Sequence, residues 1–186
     1  IAVAASDPNV IYVGQGEETV RGNVSSGFGL WKSVDAGKTW QHIGLKATRH
    51  IGRIRVHPQN PNIVYVAAMG NLYKDTQERG VYKSIDGGKS WNKVLFADAG
   101  SGAVDLLIDP QNYRTLYAST WTIRRSPYSL SSGGEGSKLW KSTDEGESWQ
   151  EISNNEGFPS GLKGIIGVAV SPVNNNRVGA LVENEP

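Results

Sequence analysis

The chain has 186 residues, enough for one ordinary domain, and 19 Lys and Arg against 18 Asp and Glu leave a net charge of +1. This balance argues against a nucleic-acid or anionic-membrane protein, which normally carries a basic excess. The absence of cysteine excludes a disulfide framework, Cys-ligated zinc and thiol catalysis, and the longest apolar run, 63–69, is too short to cross a bilayer.

The predicted elements follow one another in the same order along the whole chain. Each period opens with a short apolar run, and these runs read IAVAA, IGRIRV, AVDLLI and IIGVAV. A turn with proline and a second apolar run follow, in SDPNVIYVG, HPQNPNIVYVAA, DPQNYRTLYAST and SPVNNNRVGALV. Short apolar runs bounded by Pro, Asn and Gly are typical of β-strands, so we expect a strand A and a strand B in each period.

A third run and a polar turn complete the period three times. The runs GLWK, GVYK and KLWK lead into SVDAGKTW at 33–40, SIDGGKSW at 84–91 and STDEGESW at 142–149. In each turn we expect the Asp to accept hydrogen bonds from turn amides, the Gly to adopt a positive φ and the Trp to pack between neighbouring sheets. The predicted structural residues are Asp35, Gly37, Trp40, Asp86, Gly88, Trp91, Asp144, Gly146 and Trp149.

These repeats predict an all-β fold. Four antiparallel strands, A to D, in a period of about 50 residues have the size of one β-propeller blade. We therefore predict a β-propeller segment of four-stranded antiparallel blades, with about three and a half blades present. It is a single segment, 1–186, with blades at 1–46, 47–98 and 99–160 and a half-blade at 161–186. Because an open ring leaves raw sheet edges, we expect the remaining blades, from the same polypeptide or a partner chain, as a partner.

The three polar turns resemble the Asp-box, or bacterial neuraminidase repeat, of sialidases, xyloglucanases and sortilins. The longer strings 12–70 and 116–149 resemble large exported bacterial proteins of the sortilin-like Asp-box group, whose members are often labelled glycosyl hydrolases. The resemblance covers essentially the whole chain. It implies a propeller and a location outside the cytoplasm, whether extracellular, periplasmic or at the cell surface.

In propellers, ligands usually bind on the face that carries the B–C and D–A connections. The B–C loops are predicted at 15–28, 69–79 and 119–137. Their Arg, carboxylate and aromatic side chains suit sugars, carboxylates or peptide ends, although polar loops also pair among themselves. The predicted ligand-binding residues on this face and on strand A are Glu18, Arg21, Arg49, His50, Arg53, Tyr73, Arg79, Asp105, Trp121, Arg124 and Arg125.

One pair of charges stands at matching places in two periods. Arg53 and Asp105 each lie five residues before the proline that ends strand A. Since the innermost strands of adjacent blades are neighbours, we expect these side chains to meet at the channel wall. The pair is either a structural ion pair between two blades or the charged lining of a central pocket.

The resemblance leaves three functions open. The first is a binding platform for peptide, protein or glycan, as the likeness to sortilin implies. The alternative is a xyloglucanase- or sialidase-like glycoside hydrolase whose site is completed by blades outside this chain. The third is a purely structural module of a large surface protein. Whether the chain is part of an enzyme is therefore not decided by its sequence.

The hydrolase alternative needs two carboxylates about 5 to 9.5 Å apart. Glu17 and Glu18 follow the first strand B, which resembles the position of a catalytic Asp in xyloglucanases. As sequence neighbours in an extended loop they cannot both point into one cleft, so the second acid must come from elsewhere. The candidate catalytic residues are Glu17 and Glu78.

No metal site or cofactor is expected. The three histidines, His42, His50 and His57, are not at clustered ligand spacing, and no HExxH or calcium-loop pattern occurs. The expected partners are the remaining blades and a glycan or peptide ligand, without nucleic acid and without membrane insertion.

Overall fold

The computed structural model describes residues 1–184 and contains fifteen β-strands and one short 3₁₀ helix. The first sheet has the order β1-β2-β3-β4, formed by Ala2–Ala4, Asp7–Gly14, Leu30–Ser33 and Gln41–His42. The 3₁₀ helix, Lys46–Thr48, leads into the second sheet, whose order β5-β6-β7-β8 comprises Ile51–His57, Asn60–Ala68, Gly80–Ser84 and Asn92–Leu95. Consecutive strands in both sheets pair antiparallel.

The third sheet has one strand more than the first two. Its strands are β9 (Ser101–Ile108), β10 (Leu116–Arg125), β11 (Leu130–Ser132), β12 (Lys138–Ser142) and β13 (Gln150–Glu151). Strand β9 pairs with β10, which pairs with β12, and β11 forms a hairpin with the far end of β10. A two-stranded sheet of β14 (Lys163–Val170) and β15 (Val178–Asn184) ends the described chain. The predicted all-β propeller segment is confirmed, and the β11 hairpin is the addition that the sequence did not predict.

The hydrophobic core lies between successive sheets. Leu106, Leu116 and Ala118 of the third sheet are buried against Tyr65 and Val81 of the second. A matching set of aliphatic side chains fills the space between the first and second sheets. The second sheet therefore buries both faces against its neighbours, which explains why its strand β6 is apolar on both sides.

Tyrosines at one strand-B position bond each sheet to the next. The Tyr12 hydroxyl donates to the Pro61 carbonyl at 2.8 Å, and the Tyr65 hydroxyl donates to the Glu145 carbonyl at 2.9 Å. Both rings are fully buried, and burial raises the pKa of Tyr12 to about 12. These two tyrosines therefore join the first sheet to the second and the second to the third.

The polar turns have the predicted geometry. The Asp35 carboxylate accepts hydrogen bonds from the Thr39 amide at 2.9 Å and the Thr39 hydroxyl at 2.6 Å, and Asp86 and Asp144 make the same bonds to Ser90 and Ser148. Mainly because of these bonds, the pKa of Asp35 falls to about 2. The three turn glycines have φ of 86°, 92° and 84°, as expected.

The tryptophans of these turns are not equivalent. The Trp91 indole donates to the Ile43 carbonyl of the preceding sheet at 2.8 Å, and Trp149 packs on the core shared with the preceding sheet. Trp40 and Trp149 each donate to the glycine carbonyl of their own turn, but Trp40 is 41% exposed. Within the described residues no sheet covers Trp40, so its packing between sheets stays a prediction.

Candidate functional site

The B–C loops do not stand apart but pack into a compact cap over one end of the sheets. Val24 of the first loop lies with Met69 and Leu72 of the second, and with Trp121 and Ile123 of β10. All five are at most 7% exposed. The cap has a hydrophobic core of its own, so its outer surface is preorganised rather than loose.

Two arginines bond the loops of the cap together. Arg79 is fully buried, and its guanidinium donates to the carbonyls of Gly100 and Asn71, each at 2.8 Å. Burial lowers the pKa of Arg79 from its usual value. Arg125, also buried, donates through Nε to the Arg21 carbonyl at 2.6 Å and through its amide to the Leu72 carbonyl at 2.8 Å.

Four of the predicted ligand-binding residues are therefore corrected to structural ones. Arg79 and Arg125 donate hydrogen bonds to backbone carbonyls. Trp121 lies on strand β10, which extends to residue 125, well into the predicted loop 119–137. His50 is fully buried with its Nδ1 bonded to the Gly70 carbonyl at 2.9 Å, and burial lowers its pKa. Composition suggested exposed polar groups, but backbone carbonyls can satisfy a buried Arg or His, which a sequence does not show.

A charged cavity lies beside the innermost strands. The Arg53 Nε donates to Asp105 at 3.1 Å, and the second oxygen of Asp105 accepts the Val168 amide, also at 3.1 Å. A carboxylate oxygen of Glu18 lies 3.6 Å from Nη2 of the same guanidinium. The expected meeting of Arg53 and Asp105 is confirmed, and this contact joins β5, β9, β14 and the first B–C loop.

This channel cavity has a volume of about 450 Å³ and also contains a residue that sequence reasoning missed. Glu183, on β15, also lines it, and the Glu183 carboxylate accepts hydrogen bonds from the Ser132 hydroxyl at 2.8 Å and the Ile165 amide at 2.9 Å. The signal that could have found it is its place at the end of a strand B, where the other loops begin. Ile165 and Leu181 give the cavity an apolar side.

The two neighbouring glutamates diverge, as their adjacency predicts. Glu17 accepts the Arg21 Nε at 2.8 Å and the Ser25 amide at 3.1 Å. These bonds lower the pKa of Glu17 below its usual value, and the bond from Arg21 has the largest effect. Glu17 therefore holds its own loop together, whereas Glu18 faces Arg53 and the channel cavity.

A second opening, the lateral cleft, lies between the first and second B–C loops. Its volume is about 670 Å³, and its walls come from 26–28, from the 3₁₀ helix with Arg49, and from 71–78 with Ala99. Glu78, a candidate acid, lines this cleft and not the channel cavity. The two candidate catalytic residues, Glu17 and Glu78, therefore do not share an opening.

The remaining predicted residues lie at the edges of the two openings. Arg21 is 64% exposed in its side chain beside Glu17, and Arg49 lines the lateral cleft. Arg124 contacts Asp75 at 3.6 Å on the rim of that cleft. The Tyr73 hydroxyl donates to the Val24 carbonyl at 3.0 Å, so it stiffens the cap while its ring stays partly exposed. Their roles in binding stay predictions.

Within residues 1–184, no three His, Asp or Glu side chains come together as metal ligands would. No helix in the same part of the chain is long and apolar enough to cross a membrane.

Residues 29–160 match the family model described as Sortilin-Vps10, "Sortilin, neurotensin receptor 3". A probable oligoxyloglucan-reducing end-specific xyloglucanase of Neosartorya fischeri is 28% identical over 164 residues, 82% of this chain and 17% of that protein. Xyloglucanase Xgh74A of Acetivibrio thermocellus is 32% identical over 147 residues, 71% of this chain and 15% of that protein. The chain thus spans about a sixth of the length of these relatives.

Solved structures share the fold. A GH74 enzyme of Niastella koreensis superposes with a TM-score of 0.64 and 22% identity, over 95% of this chain and 23% of that one. The GH74 xyloglucanase of Xanthomonas campestris superposes with a TM-score of 0.66 and 22% identity, over 96% of this chain and 25% of that one. The chain is a propeller module related to GH74 xyloglucanases.

Proposed function

This chain belongs to the Sortilin-Vps10 family, and from that premise we propose that it forms part of the glycan-binding face of a glycoside hydrolase of the xyloglucanase type. Sequence similarity to two xyloglucanases over most of the chain supports this assignment. The observation that carries it is a pair of open cavities lined by carboxylates, one between the packed loops of the cap and one along the innermost strands beside Glu18.

Glu18 is the carboxylate that we assign to the chemistry, in place of Glu17. Both oxygens of Glu17 are occupied by Arg21 and Ser25, whereas Glu18 faces the channel cavity. Both oxygens of Asp105 are occupied by Arg53, Leu106 and Val168, so Asp105 is a structural partner of Arg53, and we assign the second acid of the pair to blades outside this chain. In such a pair one group protonates the leaving oxygen while the other attacks the sugar or activates water.

The test measures release of reducing ends from xyloglucan and other β-glucans by the natural full-length protein. We expect Glu18→Gln to lower kcat by about 10² to 10⁴, the usual effect of removing an acid or base. Glu17→Gln should act mainly on the stability of its loop. Glu135→Gln, which changes an exposed glutamate outside both cavities, is the matched control and should leave kcat unchanged. Unchanged turnover in Glu18→Gln would remove this assignment.

A peptide- or protein-binding platform is the second candidate. The family match to sortilin favours it, and it needs only the rigid cap and its charged rim. It predicts that the full-length protein releases no sugar from any glycan and instead retains peptides on a column. Turnover of a glycan would decide for the hydrolase.

Further blades and an exported location belong to the same proposal. A polysaccharide is too large to enter a cell, so an enzyme of this type meets its substrate outside the cytoplasm. The free edge of β15 and the exposed Leu181 fit further blades, in the same polypeptide or in a partner chain.

A further inference from the structure

The lateral cleft carries a surplus of unpaired positive charge. Lys46, Arg49 and Lys74 line it, and within residues 1–184 none of the three forms an ion pair. Two acids, Asp75 and Glu78, also line the cleft. Asp75 forms an ion pair with Arg124 at 3.6 Å, so Glu78 is left to offset the three cations. Three cations on one concave surface favour an anionic ligand.

One wall of the cleft presents an aromatic ring. Phe28 is 62% exposed, although its backbone is fixed on both sides. Its amide donates to Gln15 at 3.1 Å, and its carbonyl lies 2.8 Å from the His42 Nε2. The Lys46 ammonium lies 6.0 Å from the ring centroid. A large apolar ring that is mostly exposed on a fixed backbone marks a contact surface for a ligand.

The rest of the cleft is also preformed. The Thr76 amide donates to the Ala99 carbonyl at 3.0 Å, which ties the 71–78 wall to the next connection. Arg49 has φ of 58°, a strained conformation for a residue with a side chain, and its carbonyl accepts the Gly27 amide at 2.7 Å. A volume of about 670 Å³ lies within the usual range for small-molecule sites and can hold more than one sugar ring.

We propose that the lateral cleft binds an acidic saccharide, with a pyranose ring on Phe28 and its anionic group held by Lys46, Arg49 and Lys74. The apolar face of a sugar ring suits an aromatic platform, and Lys and Arg suit a carboxylate or sulfate. The inference rests on the proposed function in that the ligand is a glycan. The proposed ligand differs from xyloglucan in charge, since xyloglucan is neutral.

An acidic peptide is the competing ligand. Extended peptides are commonly held by pairing with a free strand edge. The walls of this cleft are loops and a 3₁₀ helix, so they offer no such edge, whereas they do offer a flat ring. The structure therefore favours the saccharide.

Calorimetric titration of the natural full-length protein tests the proposal. The probes are an oligogalacturonate, a neutral oligosaccharide of xyloglucan and a polyglutamate peptide of similar length. The oligogalacturonate should bind at least about tenfold more tightly than the neutral sugar, and Lys46→Gln and Arg49→Gln should each weaken it by about tenfold. Phe28→Ala should weaken both sugars. Lys38→Gln, in an exposed turn outside the cleft, is the control for charge.

The outcomes separate this inference from the proposed function. Equal affinity for the charged and neutral sugars, unaffected by Lys46→Gln and Arg49→Gln, overturns the acidic-saccharide site and leaves the glycoside hydrolase standing. Failure of both sugars to bind, together with no release of sugar, removes both proposals. Polyglutamate that binds as tightly as the oligogalacturonate, with the same loss in the two variants, also overturns the saccharide site. Unchanged thermal melting of each variant shows that the folded protein was measured.

Discussion

At the scale of single residues, a buried guanidinium holds the loop face in place. Arg79 sits in the interior of the cap with its donors on carbonyls of two different connections, at Gly100 and Asn71. Its Nε has no hydrogen-bond partner within the described residues. Loop carbonyls have no hydrogen-bond partner in a β-sheet, and a planar cation with several donors can bond to several of them at once.

Replacing that guanidinium should destabilise the protein strongly. We expect Arg79→Met to lower the free energy of unfolding by about 3 kcal/mol, because buried carbonyls of the cap lose their donors. The measurement is the urea midpoint of unfolding. Arg124→Met, at a partly exposed arginine on the same face, should change stability by less than about 0.5 kcal/mol. Equal effects of the two substitutions would show that Arg79 is not a structural anchor.

At the scale of elements, strands of neighbouring sheets approach too closely for side chains at certain glycines. A Cβ added to Gly102 at the start of β9 would lie 2.4 Å from the Met69 carbonyl oxygen and 2.5 Å from its Cα. Gly52 of β5 meets the backbone of Val104 in the same way, with 2.7 Å to its carbonyl oxygen. The close stacking of the sheets therefore depends on these glycines.

A methyl group at this contact should force the second and third sheets apart. We expect Gly102→Ala to cost about 2 kcal/mol of unfolding free energy, the usual effect of overpacking against rigid backbone. Gly167→Ala on β14 is the matched control, because nothing lies within 4 Å of its added Cβ. Thermal melting of both variants checks this expectation, and a Gly102→Ala protein as stable as Gly167→Ala would contradict it.

The elements also show what a sequence can and cannot predict here. The strands and polar turns were predictable because Asp35, Asp86 and Asp144 repeat the same local chemistry at fixed offsets. The site was less predictable because each of its loops is unique. The extension of β10 past Trp121 is accompanied by the local β11 hairpin and by the cap, whose contacts join loops far apart in sequence. Arg53 and Asp105 were found because they follow the repeat.

At the scale of the whole molecule, two apolar surfaces of the described chain are uncovered. Trp40 lacks the preceding sheet that its equivalents Trp91 and Trp149 contact, and β15 offers a free edge with Leu181 83% exposed. Related xyloglucanases are several times longer than this chain. Both surfaces are compatible with the further blades of the proposed function.

Hydroxyl-radical footprinting of the natural full-length protein, with and without the saccharide that binds most tightly, tests the central claim most directly. We expect Phe28 to be reactive in the free protein and protected by the saccharide, because its exposed ring lines the lateral cleft. Trp40, which is exposed and lies outside that cleft, should be equally reactive in both states. A Phe28 whose reactivity stays unchanged at saturating saccharide would contradict a glycan-binding role for this face.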